Sequence, residues 1–176
     1  MINTALNQSD IKYLLEQQEK LDQKMRLDLS IKKHDWLVAM NIEHDIALNV
    51  EVHEFINECF QVWKYWKRKP MNTELILEEA IDVIHFVMLK LNKINVDTNQ
   101  LAKNVSESIA AKRPADDRRN VKLFMHQLST QKNTDTAVLC NVLIILDYYG
   151  FNSQDIIHCY NQKNKENFRR LASGYW

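Results

Sequence analysis

The sequence predicts an all-α fold, a bundle of five or six helices. Only two glycines and two prolines occur among its 176 residues, whereas a β-rich chain of this length would need many more of both for its turns. Apolar residues recur at helical spacing in several segments. A chain of this length can bury one core, so we expect residues 1–176 to form a single domain.

Helix boundaries in the first half follow from breaker and capping residues. After a first helix, a second is predicted from about residue 35 to about residue 67, with a break near Asp45. Pro70 ends it, because the residue before a proline avoids the helical region. Asn72 or Thr73 can then cap a third helix, whose apolar positions mark it as part of the core.

In the second half, capping and stop signals predict three further helices. The expected starts are Asp97 (with Gln100, as in a capping box), Thr134 or Asp135, and Ser153, and the expected stops are Pro114 and Gly150. The segment from residue 116 to residue 133 is polar and poorly periodic, so no element is predicted there.

Charge and cysteine content narrow the function classes. The 23 basic and 23 acidic residues balance, so net charge gives no case for a nucleic-acid-binding or membrane-surface protein. The three cysteines are far apart without CxxC spacing, which is typical of buried thiols in a reducing compartment. The polar N-terminus does not resemble a signal peptide, and no apolar run approaches the roughly 20 residues of a membrane span. We therefore expect a cytoplasmic protein.

Two carboxylate pairs carry the chemical prediction. Glu51 and Glu54 are three residues apart, as are Glu79 and Asp82 on the next predicted helix. Residues at this spacing share a helix face, and both pairs are embedded in apolar sequence. Carboxylates that converge near a core repel one another unless cations neutralise them. Oxygen ligands in this number suit Mg²⁺ or Mn²⁺, which predicts metal-assisted phosphoryl transfer or phosphoanhydride hydrolysis.

Spacing alone leaves two points open. A single ExxE pair is common on solvated helix faces, so a solvated acidic surface is the alternative; two pairs on successive helices favour the metal. The register between the helices is also undetermined. If the chain folded back symmetrically about Pro70, Glu58 would lie level with Asp82 and could join the cluster.

A polar stripe near the C-terminus has the chemistry of a phosphate clamp. Lys163, Asn167 and Arg170 follow one another at i, i+4 and i+7, and Arg can bind phosphate in bidentate fashion. A solvated basic helix end is the alternative and, for the stripe alone, the simpler interpretation. Tyr175 adds a phenol after Gly174.

An aromatic segment and a polar pair offer candidate base contacts. Trp66 could stack on a base, while Lys64 and Lys67 could approach phosphates; aromatic residues at helical spacing more often belong to the core. Gln18 and Asp22 are four residues apart on the first helix and could read a base edge. Without other information this pair is assigned to the surface.

Taken together, these motifs resemble the dimeric all-α dUTP diphosphatases of phages, trypanosomatids and some bacteria, within the all-α NTP pyrophosphatase (MazG-type) superfamily. The ExxE and ExxD pairs match the superfamily. The more specific matches are the sequences DVIHF from Asp82, KYWK from Lys64, QEKLD from Gln18 and, above all, KNKENFRRLASGY from Lys163 to Tyr175.

The resemblance implies Mg²⁺-dependent hydrolysis of dUTP, and often dUDP, to dUMP by a metal-activated water. It implies two or three metal ions on the four acids, with Glu54 best placed to bridge metals and orient the water. Homodimers with shared active sites and a bacterial or phage-infected host cell also follow. Some phage members bind regulatory proteins. The implied substrate-binding residues are Gln18, Asp22 and Trp66 for uracil, Lys163, Asn167, Arg170 and Tyr175 for phosphates and sugar, and Lys64 and Lys67 beside Trp66.

The chain departs from the family pattern at three places. Leu171 stands where Gln is usual, Asp22 where some members have Asn, and residues 95 to 133 match no familiar segment. These differences bear on base contacts more than on metal ligands. The alternatives are therefore a relative that hydrolyses dCTP or several nucleotides, and a helical bundle that has lost catalysis and serves as a protein-interaction module.

Overall fold

The computed structural model describes residues 1–130 and 133–174, and within them the fold is all-α with no strand. It contains eight α-helices and one π-helical segment, more elements than the five or six helices predicted. Their bounds are α1 (Gln8–Asp28), the π segment (Asp35–Ala39), α2 (Asn41–Glu58), α3 (Phe60–Trp63), α4 (Thr73–Asn92), α5 (Thr98–Ala110), α6 (Arg118–Thr130), α7 (Asp135–Tyr148) and α8 (Ser153–Ala172).

Helix α4 is the centre of the bundle. It packs against α1, α2, α7 and α8, and its buried positions occur on most of its circumference, as expected for a helix enclosed by others. Helix α7 is similarly apolar, with nine consecutive buried residues from Val138 to Leu146. The remaining helices each bury one face against these two or against each other.

Polar contacts fix α2 antiparallel to α4. Lys90 Nζ of α4 lies 2.6 Å from Asp45 Oδ1 of α2. One turn further along α4, Lys93 Nζ donates to Asn41 Oδ1 at 2.9 Å. The same register continues toward the start of α4 and brings residues 79–82 opposite residues 51–54.

The second predicted helix breaks at other places than expected. Asp45 lies inside α2, where its carboxylate pairs with Lys90. The breaks fall at Met40 and at Cys59. The helical chain ends at Trp63 rather than near residue 67, because the indole Nε1 donates to the Ile56 carbonyl at 2.9 Å and holds α3 back against α2.

Capping boxes open the first and last helices. The side chain of Asn7 accepts from Asp10 N, and the Asp10 carboxylate accepts in return from Asn7 N. Asn152 and Asp155 repeat this arrangement at α8. The predicted cap Ser153 is therefore wrong by one residue, because the amide oxygen of Asn152 already accepts the first backbone N–H groups of α8.

Other predicted boundaries are confirmed. Asn72 caps α4 and Thr134 caps α7. Asp97 caps α5, although the Gln100 side chain donates to Asn104 and not back to the cap. Gly150 follows α7 with φ +88°, a conformation that favours glycine and stops the helix.

Helix α6 lies in the segment for which no element was predicted. Val121, Met125 and Leu128 are buried at i, i+4 and i+7 and form one apolar stripe. Asp117 precedes the helix and accepts from two of its first backbone N–H groups at 2.8 and 2.9 Å. The stripe is short and surrounded by polar residues, which obscured its period in the sequence.

Asn3 and Thr4 form an N-terminal strap that bonds to α7 and to the first residue of α8. Thr4 Oγ1 is fully buried and donates to the Leu143 carbonyl at 2.6 Å. Asn3 N donates to Asp147 Oδ1 at 2.5 Å, and its carbonyl accepts from Ser153 N at 3.1 Å. The strap thereby holds the start of α1 beside the α7–α8 connection.

Two further expectations concern membranes and thiols. Within residues 1–130 and 133–174, no helix is both long enough and apolar enough to cross a membrane. Cys59, Cys140 and Cys159 are buried and free, as their spacing predicted.

We expect Leu143→Ala to lower the free energy of unfolding by about 2–5 kcal/mol, because Leu143 is completely buried in α7 and its truncation leaves a cavity. Urea denaturation followed by circular dichroism measures this. Leu123→Ala on α6 is the matched control, since Leu123 is 55% exposed and should cost well under 1 kcal/mol. Equal losses in the two variants would contradict the assignment of α7 to the core.

Candidate active site

Three of the four predicted carboxylates meet between α2 and α4. One carboxylate oxygen from each of Glu51, Glu79 and Asp82 lies within 4.8 Å of the others, and all three side chains are partly buried. We call these three residues the acidic cluster. The i, i+3 spacing on α4 and the antiparallel register with α2 together produce this convergence.

The electrostatics of the acidic cluster disfavour three negative charges. Burial, followed by the charges of Asp82, Glu54 and Glu79, raises the pKa of Glu51 to about 7. Burial, followed by the charge of Asp82, also raises the pKa of Glu79. The pKa of Asp82 is raised by burial even though Lys163 opposes the shift. The cluster is therefore short of positive charge, and its donor set of carboxylate oxygens could bind a metal ion.

Glu54 and Glu58 border the cluster without completing it. Glu54 is solvent-exposed, but its charge raises the pKa of both Glu51 and Glu79. Glu58, one turn further along α2, acts on the pKa of Glu79. The symmetric fold-back that would have set Glu58 level with Asp82 is not the observed register, in which Glu51 is the acid of α2 that joins Glu79 and Asp82.

The C-terminal stripe lies beside the acidic cluster. Lys163 Nζ is 2.5 Å from Asp82 Oδ2, so α8 supplies a cation directly to α4. Arg170 is near enough to lower the pKa of Asp82, while its Nε bonds to Glu166 Oε1 at 3.2 Å. Lys163, Asn167 and Arg170 line one cleft of about 270 Å³. The predicted stripe and the predicted acids are thus adjacent.

The sequence alone assigned Gln18 and Asp22 to the surface, but the structure buries both. They are 3% and 1% exposed, because α1 turns this side toward α4 and α8. Gln18 Nε2 donates to Asp22 Oδ1 at 2.8 Å, and Gln18 Oε1 lies 2.8 Å from His85 Nδ1 and 3.0 Å from the Tyr160 hydroxyl. We call these four residues the buried polar network.

Burial shapes the charge of this network. It raises the pKa of Asp22 to about 7, partly opposed by the hydrogen bond from Gln18. It lowers the pKa of His85 to about 3, helped by the charge of Lys163, so the imidazole is neutral at physiological pH. Within the described residues, Asp22 Oδ2 and His85 Nε2 are buried without a hydrogen-bond partner, and Asn164 Oδ1 shares that property. Unpaired buried acceptors cost free energy, which makes this a candidate ligand contact.

Sequence reasoning did not select three residues that the structure places here. His85 occurred in the DVIHF motif and Asn164 in the C-terminal motif, so their positions were noted without a role. Tyr160 had no motif; the only signal was its position four residues before Asn164 on the same helix face. Its ring stacks on the His85 ring at 4.1 Å.

In the part of the chain that the structure describes, the aromatic segment, residues 64–67, makes its contacts with neighbouring residues of the chain and none with the buried polar network. Trp66 is 61% exposed, and its ring contacts Trp63 and Tyr65 of its own segment. Lys64 Nζ bonds to Asn57 and lies 4.7 Å from the Trp63 ring centroid. Lys67 Nζ lies 4.2 Å from the centroid of Phe60. Tyr175, another predicted contact, falls outside the described residues.

An all-helical bundle with clustered carboxylates, a neighbouring cationic stripe and a buried polar network defines the class: a hydrolase for phosphorylated substrates. The dUTPase family model matches residues 10–175, and the chain therefore belongs to the dUTPase family. Its activity is that of a dUTP diphosphatase, which hydrolyses dUTP to dUMP. No curated protein matches the chain significantly.

We expect Asp22→Asn to reduce the pH dependence of stability. Because the folded-state pKa of Asp22 is raised from 3.8 to about 7, the folded protein binds more protons than the unfolded chain between these values. Stability therefore falls as pH rises, by at most about 1.4 kcal/mol per pH unit from this group. Asn removes that contribution while keeping the side-chain size.

Urea denaturation at intervals from pH 4 to pH 8 measures the slope for wild type and Asp22→Asn. Asp28→Asn, at an exposed carboxylate on the same helix, is the control and should leave the wild-type slope nearly intact. An identical slope in Asp22→Asn would show that Asp22 does not carry the raised pKa.

Proposed function

We propose that dUTP hydrolysis by this chain depends on Mg²⁺, with Mn²⁺ as a substitute, and that Glu51, Glu54, Glu79 and Asp82 hold two or three ions. The observation that carries this proposal is the convergence of the acidic cluster within 4.8 Å at raised pKa values. Hard carboxylate oxygens are the ligands that these cations prefer. When bound, the ions supply Lewis-acid polarisation of phosphate oxygens and a more acidic water.

The protein's own groups divide the remaining work. Glu54 is the acid nearest to solvent, which suits it to orient the attacking water and to bridge metals. Lys163 holds Asp82 through its ammonium group and can shift to a phosphate oxygen by a small side-chain rotation. Arg170 and Asn167, on the same cleft, are placed to bind phosphates. The water oxygen forms a bond to the α- or β-phosphorus as the bridging P–O bond between these two phosphates breaks. The bridging oxygen leaves with the departing phosphate and the water releases its protons, which yields dUMP and pyrophosphate.

We assign the base and sugar contacts to residues beside the acidic cluster and the C-terminal stripe. The buried polar network offers unpaired hydrogen-bonding atoms beside Lys163, which supports a role for Gln18 and Asp22 on the uracil side. Trp66 is exposed. Stacking of its ring on the base requires its segment to move toward the site. The full proposed set is Gln18, Asp22 and Trp66 for the base, with Lys64, Lys67, Lys163, Asn167, Arg170 and Tyr175 for phosphates and sugar. We propose dUDP as a second substrate, because the acidic cluster and the stripe do not require a third phosphate.

We also propose a homodimer formed through α2. Val38, Ile42, Ile46 and Val50 recur every four residues and are 57%, 71%, 59% and 48% exposed. This exposed apolar stripe begins in the π segment and runs along α2 to Glu54, which is next at the same spacing. Contiguous exposed apolar surface of this kind marks an interface. A second copy of the chain is the occupant that would bury the stripe and close the open side of the acidic site.

We also propose a cytoplasmic setting and a single domain. Three buried free thiols fit a reducing compartment such as the cytoplasm of a bacterium or a phage-infected host cell. One hydrophobic core draws residues from α1, α2 and α4 to α8, which supports treating residues 1–176 as one domain.

Glu79→Gln and Glu54→Gln should each lower dUTP hydrolysis at least about 10- to 100-fold, the loss typical even of residues that only orient metal ligands. The reason is that a neutral amide is a weaker metal ligand than a carboxylate, and its lack of charge leaves less negative charge to balance the bound metal ions. Pyrophosphate release from dUTP with Mg²⁺ measures the effect, and removal of the metal with a chelator should abolish activity.

The matched control is Glu74→Gln, an exposed acid in the first turn of α4, which should retain wild-type rates. A panel of dUTP, dUDP, dCTP and dTTP under the same conditions tests substrate choice. Full activity of Glu79→Gln, or of wild type in chelator, would refute the metal site. Preferential cleavage of dCTP would refute the base specificity alone.

Ile46→Lys should convert the dimer to a monomer, because a charged side chain at the centre of the apolar stripe cannot be buried against its symmetry mate without a large desolvation cost. Light scattering coupled to gel filtration measures the mass. Leu123→Lys, on the exposed face of α6, is the control and should stay dimeric. A wild-type protein that is monomeric at high concentration would exclude the interface.

A further inference from the structure

The hydrogen bonds around Gln18 have a fixed direction. Asp22 Oδ1 receives the Gln18 Nε2 donor at 2.8 Å, which leaves the amide oxygen Oε1 facing the other side of the side chain. Two groups contact that oxygen: His85 Nδ1 at 2.8 Å and the Tyr160 hydroxyl at 3.0 Å. An amide oxygen only accepts, so both groups must donate to it.

This direction determines the tautomer of His85. If Nδ1 carries the hydrogen that bonds to Gln18, the neutral ring has a lone pair on Nε2. That nitrogen is buried and has no partner among the described residues. The unsatisfied atom is therefore a hydrogen-bond acceptor, and a ligand that bonds to it must present an N–H or O–H group.

Tyr160 stabilises this arrangement over the flipped one. If the Gln18 amide turned over, its NH₂ group would point at His85 and force the hydrogen onto Nε2, which would then be a donor. The Tyr160 hydroxyl opposes the flip because its other acceptor, the Leu14 carbonyl, is 3.5 Å away and offers only a poor bond. Stacking at 4.1 Å also holds the Tyr160 and His85 rings parallel.

The network lies next to the phosphate chemistry. His85 follows Asp82 by one turn of α4, and Asp82 Oδ2 lies 2.5 Å from Lys163 Nζ. A nucleotide with its phosphates on Lys163 therefore has its base within reach of this region. Nε2 is covered by protein here, so a base that bonds to it must displace a covering side chain.

We propose that Tyr160 is a positioning residue for base selection: by donating to Gln18 Oε1, it keeps His85 Nε2 an acceptor for an N–H of the base. This inference rests on the proposed role of the network in base binding. Uracil and thymine both carry N3–H, whereas N3 of cytosine is itself an acceptor and would face a lone pair. Where N3 of the base faces Nε2, and the exocyclic N4–H₂ of cytosine does not, the network therefore discriminates against cytosine and not against thymine.

Tyr160→Phe tests the proposal, because it removes the hydroxyl and keeps the ring on His85. We expect the ratio of kcat/KM for dUTP over dCTP to fall about tenfold, the equivalent of one buried hydrogen bond. The change should appear in KM, with kcat for dUTP near wild type, and the ratio of dUTP to dTTP should stay constant. A loss of stability alone would move none of these ratios selectively.

Tyr13→Phe is the matched control. The Tyr13 hydroxyl also joins α1 to α8, through a 2.7 Å bond to Asn161 Oδ1, but does not contact Gln18. It should leave all three ratios unchanged. Thermal midpoints of the two variants report whether either is disrupted as a whole.

The tautomer of His85 can also be measured directly by NMR. ¹⁵N–¹H correlation spectra of the histidine side chains in the full-length protein should show His85 with hydrogen on Nδ1 in wild type and a mixture of tautomers in Tyr160→Phe. His85 protonated on Nε2 in wild type would overturn the inference, as would unchanged selectivity in a folded Tyr160→Phe variant. If wild type with Mg²⁺ leaves dUTP intact, the proposed function fails as well, which separates the two failures.

Discussion

The antiparallel register of α2 against α4 is the constraint on which the site depends. Two lysines of α4, bonded to Asp45 and Asn41 of α2, fix how the helices align along their length. A shift by one residue would turn Glu51 away from Glu79 and Asp82, since neighbouring helix positions point about 100° apart. The acidic cluster is therefore set by polar contacts that lie two to three helical turns away from it, toward the other end of the helix pair.

Several elements of the fold were predictable because their signals are local. Capping residues such as Asn72 and Thr134, and the stop at Gly150, act on backbone groups within a few positions. The i, i+3 spacing of the acids likewise predicted which residues could meet. The exact membership of the cluster was not predictable: whether Glu51, Glu54 or Glu58 faces Asp82 depends on the register, which the contacts of Lys90 and Lys93 with α2 fix.

The buried polar network shows what local patterns cannot reveal. Gln18 and Asp22 look like surface residues on an amphipathic helix, but Gln18 also bonds to partners that are 67 and 142 positions away in the sequence. Only the packing of α1 between α4 and α8 brings those partners together. The family motifs contained Gln18, Asp22 and His85 but gave Tyr160 no role, because a positioning contact has no spacing of its own to recognise.

The N-terminal strap has a consequence for how the protein is made. Asn3 and Thr4 bond to α7 and to the first residue of α8, and the network joins α1 to α8. During synthesis at roughly 5–20 residues per second, on the order of ten seconds separates the emergence of Gln18 from that of Tyr160. In that interval the first helix has polar groups whose partners do not yet exist. The buried polar network is therefore completed late in synthesis, when the final helix has left the ribosome and Tyr160 can bond to Gln18.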